Sequence, residues 1–145
     1  MRLYFDTCCY NRPFDDLSQA RLQEEADIIL AVVARAYLND WTIVGSAALE
    51  LEIAAISDEV RKEKVAIMYR VVTESVERDA VVIERSKYLQ REGLHPMDSM
   101  HVALAEKADA VFLTVDDKLL KICKRLGLNA MSPVECLREV VQNEG

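Results

Sequence analysis

Two short segments constrain this chain more than any others. TIVGS at 42–46 and AVFLTV at 110–115 are apolar at nearly every position. Successive strand residues point to opposite faces, so a strand with no polar face must be covered on both sides. That is the pattern of a parallel sheet between helices, not of an antiparallel sheet with one wet face. RLYFD at 2–6, AVVI at 80–83 and residues 129–131 also read as strands, which gives about five. Helical spacing runs between them. Leu22, Ala26, Ile29, Val33 and Tyr37 line one face of a helix over 17–39. Ser46 is placed to cap a helix through about Ile56, and a further helix fits 58–77. Residues 86–92 are helical up to Gly93, and Pro96 opens a helix reaching about Ala108. A helix follows AVFLTV and stops at Gly127, and Pro133 opens a last one through about Val141. NRPFDD at 11–16 reads as a loop.

Composition narrows the class. The 145 residues suit a single domain, 1–145, large enough to bury a substantial core. With 51% hydrophobic and 30% charged residues, disorder is excluded. No apolar run approaches the roughly 18 residues of a membrane span, and the N-terminus lacks the apolar stretch of a secretory signal. The net charge of −7 argues against a broad basic face that neutralises phosphates. It leaves room for a nucleic-acid enzyme whose own carboxylates hold cations. Four cysteines without a CxxC pair, and only two histidines, argue against structural zinc and for reduced, cytoplasmic thiols.

In an open parallel sheet, ligands sit beyond the carboxyl ends of the strands. Asp6 ends the first strand, Asp116 and Asp117 follow AVFLTV, and Asp98 opens a helix. Glu50 and Glu52 follow the second strand. Crowded carboxylates repel unless a cation lies between them, and an all-oxygen set suits Mg²⁺ or Mn²⁺. Helix geometry separates Glu50 from Glu52. Taking Leu49, Ile53 and Ile56 as the apolar direction, Glu52 lies about 65° away and Glu50 about 95° away on the other side. The acid nearer the buried face has more need of a partner, which favours Glu52. Thr114 and Asp117 have the spacing of a capping box, which leaves Asp116 as the free strand-end carboxylate.

Three segments carry a family resemblance: YFDTCCYNRPF, SAALELEI and GLHPMDSMHVALAEKADAVFLTVDDKLL. In order and spacing the chain resembles a PIN domain, the metal-dependent ribonuclease fold that includes VapC-type toxins. The resemblance implies a three-layer α/β/α sandwich around a mainly parallel sheet. It implies that Asp6, Glu52, Asp98 and Asp116 form an acidic catalytic and metal site for Mg²⁺ or Mn²⁺. The family's glutamate stands six residues after the serine closing the second strand, which is Glu52 after Ser46. Thr114 matches a supporting hydroxyl, and Asp117 is placed to share the role of Asp116. The implied activity is endoribonuclease cleavage of an RNA substrate, in a toxin whose cognate antitoxin is a separate chain. Homodimerisation accords with the family and with the apolar surplus.

The remaining candidates have competing readings. Lys118, Lys121 and Arg125 recur on one helical face, either as a solvated stripe or as phosphate contacts, and Arg12 is a second RNA-contact candidate. His101 falls one turn after Asp98, as packing and hydrogen bonding near the site or as a ligand or base. Cys8 and Cys9 have no local base to make them nucleophiles. Two alternatives stand beside the nuclease. One is a non-catalytic RNA-binding or interaction protein on the same fold. The other is a different phosphoryl-transfer enzyme, such as a phosphatase or receiver domain. Against the latter, the first strand ends in DTC, without a second acid.

Overall fold

The computed structural model describes residues 1–144; Gly145, the last residue of the expected domain, lies outside them. Five strands form one all-parallel sheet: β1 (Arg2–Phe5), β2 (Thr42–Ser46), β3 (Glu74–Val76), β4 (Val111–Leu113) and β5 (Ala130–Met131). Their order is β3-β2-β1-β4-β5. The chain therefore builds outward from β1 to one edge, then crosses back to add β4 and β5 on the other side. The direction reverses between β1 and β4, where an open α/β sheet forms its ligand crevice.

Among the described residues eight α-helices cover the sheet: α1 (Thr7–Asn11), α2 (Ala20–Leu38), α3 (Ala47–Ala54), α4 (Glu59–Met68), α5 (Ala80–Arg91), α6 (Pro96–Lys107), α7 (Asp117–Arg125) and α8 (Pro133–Glu144). The result is a three-layer α/β/α sandwich. α5 packs along α6, which lies over β3 and β4, and α2 packs with α8. Along β1 the side chains alternate as a doubly covered strand requires. Tyr4 meets His101 of α6, and Phe5 meets Tyr10 of α1. Leu3, Tyr4, Phe5, Val44, Phe112 and Leu113 are all core residues. Among the described residues no helix is long and apolar enough to cross a membrane, and all four cysteines are free thiols.

The number of strands is as expected, but one strand is a different segment. AVVI at 80–83 is the first turn of α5, not a strand. Asp79 caps that helix by accepting from Val82 N at 2.9 Å, and Val82, Ser86 and Leu89 then follow one buried helical face. The strand is instead 74–76, within a stretch expected to be helix to residue 77. α4 stops at Met68, a short 3-10 turn covers Tyr69–Val71, and Thr73 N donates to Ile43 O at 2.9 Å to begin β3. The β-branched run Val71–Val72–Thr73 favours this extension. Segment 11–16 is also not a plain loop. It completes α1 and then forms a 3-10 turn over Arg12–Phe14 around Pro13. α2 begins only at Ala20, after Asp16 Oδ1 accepts from Ser18 N. At the end of α5, Gly93 adopts φ +114° and lets Leu94 N donate to Leu89 O, which turns the chain toward α6.

Candidate active site

The centre of the site is the β1–β4 seam. Phe5 pairs with Leu113, and Asp6 N extends the ladder by donating to Leu113 O at 2.8 Å. Asp6 is therefore fixed by the sheet before its side chain is considered, and it is only 7% exposed. Its Oδ1 accepts from Thr7 N at 2.8 Å. Its Oδ2 accepts from Thr114 Oγ1 at 2.8 Å and from the Cys8 thiol at 3.2 Å. Burial pushes the Asp6 carboxyl above the usual range, against the opposing bond from Thr114.

Thr114 joins two acids. While its hydroxyl donates to Asp6, its oxygen accepts from Asp116 N at 3.1 Å. Asp116 is exposed and is the N-cap of α7, its Oδ1 accepting from Leu119 N at 3.1 Å. The expected division between the neighbouring acids is thus reversed. Asp116 does the capping, because the helix begins at Asp117. Asp117 is turned to the surface, where both its oxygens accept from Arg21 Nη2, at 2.9 and 2.7 Å. Asp98 occupies the first turn of α6, which Ser99 holds against α5 through Ser86 Oγ at 2.8 Å. Asp98 is half-buried. Burial, then the negative charges of Asp6 and Asp116, raise its carboxyl. Three carboxylates from separate parts of the chain are thus near enough to repel.

Glu52 stands beside them in a different environment. Its Oε1 accepts from Thr7 Oγ1 at 2.7 Å and pairs with His101 Nε2. Burial would raise this carboxyl, but the bonds from His101 and Thr7 outweigh it and hold it below the usual range. Glu50 is exposed and lines a separate groove of about 700 Å³ between α3 and α4. His101 is 1% exposed, and its Nδ1 lies 2.7 Å from Tyr4 Oη, which lies 2.7 Å from Ser46 Oγ. Sequence reasoning singled out neither Tyr4 nor Thr7. The available signal was that a Tyr inside a doubly covered strand needs a partner for its hydroxyl.

The cationic candidates divide. Lys118 and Lys121 are exposed on α7. Arg125 donates to Glu92 O at 2.8 Å, so it braces the turn before α6. Arg12 is mostly covered, paired with Asp15 at 2.8 Å and near Glu25 at 3.4 Å.

The donor set suits a hard cation in kind. Asp6, Asp98 and Asp116 offer carboxylate oxygens, and burial followed by the charges of Asp6 and Asp116 raises Asp98, which a cation would relieve. Among the described residues, however, no three His, Cys, Asp or Glu side chains stand together as a metal-holding group. The site is a set of acids at the β1–β4 seam, linked through Thr7 and Thr114, and not a formed coordination sphere.

Comparison with known proteins gives the fold. No family model matches the chain. No curated protein matches it either. Solved structures do. A chain of VapBC2 from Rickettsia felis, crystallised with a DNA fragment from their promoter, superposes with a TM-score of 0.64 at 15% identity, over 91% of this chain and 98% of that one. FitAcB from Neisseria gonorrhoeae gives 0.62 at 13% identity, over 92% and 98%. VapBC-1 from nontypeable Haemophilus influenzae gives 0.57 at 13%, over 92% and 99%. The chain has the PIN-like α/β/α fold of these structures along nearly its whole length.

Proposed function

We propose that this protein is a divalent-metal-dependent endoribonuclease of the VapC toxin type. The observation that carries the reading is the desolvated Asp6 at the topological switch point, tied through Thr114 to Asp116, with Asp98 near enough to feel the charges of both. A binding site for sugars or apolar ligands has no use for that repulsion. A site for a cation and a phosphodiester does.

Asp6, Asp98 and Asp116 would hold Mg²⁺ or Mn²⁺, and Glu52 would complete the set or orient water. The metal, when bound, would supply Lewis acidity at the scissile phosphate and acidify an attacking water. Thr114 keeps Asp6 oriented by donating to Oδ2. The Asp116 cap fixes that acid to the start of α7. Lys118 and Lys121 follow it closely and would contact phosphates flanking the scissile one. The VapBC and FitAcB names of the structural neighbours support a second protein as partner, here a cognate antitoxin. Exposed Leu51, Val60 and Ile67 support a protein-covered surface, in a homodimer or with that antitoxin. Action on RNA would place the protein in the cytoplasm.

RNA cleavage in Mn²⁺ compared with the same reaction in EDTA tests the reading. Cleavage in Mn²⁺ and none in EDTA is expected. The absence of a formed metal-holding group among the described residues favours a second reading, an RNA-binding or interaction protein with this fold. RNA binding without cleavage in either condition would support it.

A further inference from the structure

A chain of buried polar groups runs through the molecule behind these acids. It begins at Ser46, which closes β2 and caps α3 by accepting from Leu49 N at 3.2 Å. It continues through Tyr4 Oη on the central strand to His101 on α6, and ends at Glu52 on α3. Tyr4 and Ser46 are as deeply buried as His101, so each group in the chain has to be satisfied from within.

Proton arithmetic leaves one consistent neutral arrangement. Ser46 Oγ already accepts from a backbone N–H, and its own hydrogen has Tyr4 Oη as its acceptor. Tyr4 must then donate onward to His101 Nδ1. An imidazole that accepts at Nδ1 carries its proton on Nε2 and donates it to Glu52 Oε1. Reversing every bond would set the Nε2 lone pair against a carboxylate oxygen. A doubly protonated ring would turn Tyr4 Oη into an acceptor from Nδ1 and strand the Ser46 hydrogen. Thr7 Oγ1 donates to the same Oε1. Both grips thus fall on one oxygen, and among the described residues no hydrogen-bond donor reaches Oε2.

We propose that Ser46, Tyr4 and His101 are positioning residues that lock His101 as its Nε2–H tautomer, pin Glu52 by Oε1 and leave Oε2 as its working oxygen. The part of this that concerns a cation rests on the proposed nuclease function. The orientation of Glu52 does not. In metal sites, groups that orient a ligand in this way commonly change affinity by about 10–100-fold when removed.

The test uses the two histidines of the chain. Nitrogen-15 imidazole spectra, recorded on the intact protein at fixed pH, distinguish the tautomers, with exposed His95 as internal control. The wild type is expected to show His101 as a single Nε2–H form. Tyr4→Phe keeps the ring but breaks the chain, and is expected to give a tautomer mixture with His95 unchanged. An Nδ1–H or doubly protonated His101 in the wild type overturns the proposal, and that outcome is readable even if the variant does not fold. A Tyr4→Phe spectrum identical to wild type also overturns it. Mn²⁺ binding is measured on the same samples, with about 10-fold weakening or more expected in Tyr4→Phe. Equal affinity despite a disturbed tautomer overturns the positioning role. A wild type that binds no Mn²⁺ overturns the nuclease reading, while the spectra still decide how Glu52 is held.

Discussion

Asp6 and Glu52 are joined through Thr7, which donates to both, yet their environments push them in opposite directions. Asp6 is buried on the β1–β4 seam, and the bonds it accepts do not offset its desolvation. Glu52 is half-exposed on α3, and the two donors on its Oε1 more than compensate for burial. Position relative to the sheet explains the difference. A residue that continues a central strand is buried by that strand's neighbours whatever its charge. A residue on a covering helix keeps one side toward water and is tuned by the side chains it meets.

The largest effect is expected where desolvation is greatest. Asp6→Asn should reduce RNA cleavage on the order of 10³-fold, the size of a charge interaction worth several kcal/mol. It should do so without unfolding the protein. The folded-state carboxyl of Asp6 is raised, so its ionisation opposes folding at neutral pH, and the penalty fades as pH falls through that raised value. Asp6→Asn should therefore melt above the parent at pH 7, by about 2–4 °C per kcal/mol of relief, and the gap should close in acid. Thermal melts at both pH values check this; a lower melting point at pH 7 would break the contrast between the two acids.

Glu52 should give the next effect. Glu52→Gln should cost about 10–100-fold in cleavage, whereas Glu50→Gln should leave the rate near that of the parent. Equal reductions in a parallel rate assay would mean that hydrogen bonding to Oε1 does not distinguish these acids.

Asp116 offers a smaller and sharper comparison. Asp116→Asn keeps a good capping residue, so its melting point should hold, while removal of the charge should slow cleavage by roughly tenfold, one step of 1.4 kcal/mol. Asp116→Ala should remove the cap as well, at about 1 kcal/mol of stability. Asp117→Asn should disturb only the surface pair with Arg21. Chemical denaturation together with rates separates the three.

The smallest effect belongs to the exposed cations. Replacing Lys118 and Lys121 by Ala should flatten the salt dependence of RNA binding by about 0.7 in log–log slope for each phosphate no longer neutralised, with Mn²⁺ affinity nearly unchanged. Anisotropy across a salt series is the measurement. An unchanged slope would return both lysines to the solvated face of α7.

Much of this arrangement was legible in the residues. The doubly apolar strands gave the parallel sheet, and the strand-end position of Asp6 placed it at the β1–β4 seam. The helix angle separated Glu52 from Glu50 before any side chain was placed. What failed depended on where a helix starts or on contacts between distant segments. AVVI has the composition of a strand, but the Asp79 cap and the partners of Val82 and Leu89 make it helix. ESV at 74–76 has little strand character and is a strand because β2 offers it an unpaired edge. The Asp116–Asp117 reversal turned on where α7 begins, a matter of one residue that spacing alone does not fix. The buried chain through Tyr4 was hidden because its members lie on three elements.

One contact at the sheet edge has a consequence of another kind. Gly45 leaves the space that Tyr69 fills: a Cβ there would run into the phenol oxygen and, at 2.8 Å, into Val72. That phenol accepts from Ser46 N at 3.1 Å and is 3.3 Å from Ser46 O, just ahead of the point where Thr73 joins β2. Tyr69 thus works as a latch, and Gly45 is its keyhole. A side chain at 45 would displace the Tyr69 ring and Val72, and so loosen the segment leading into β3 without touching the β1–β4 seam. A change at 45 or 69 is therefore expected to be read first in the amide exchange of β3, at the far edge of the sheet from β5.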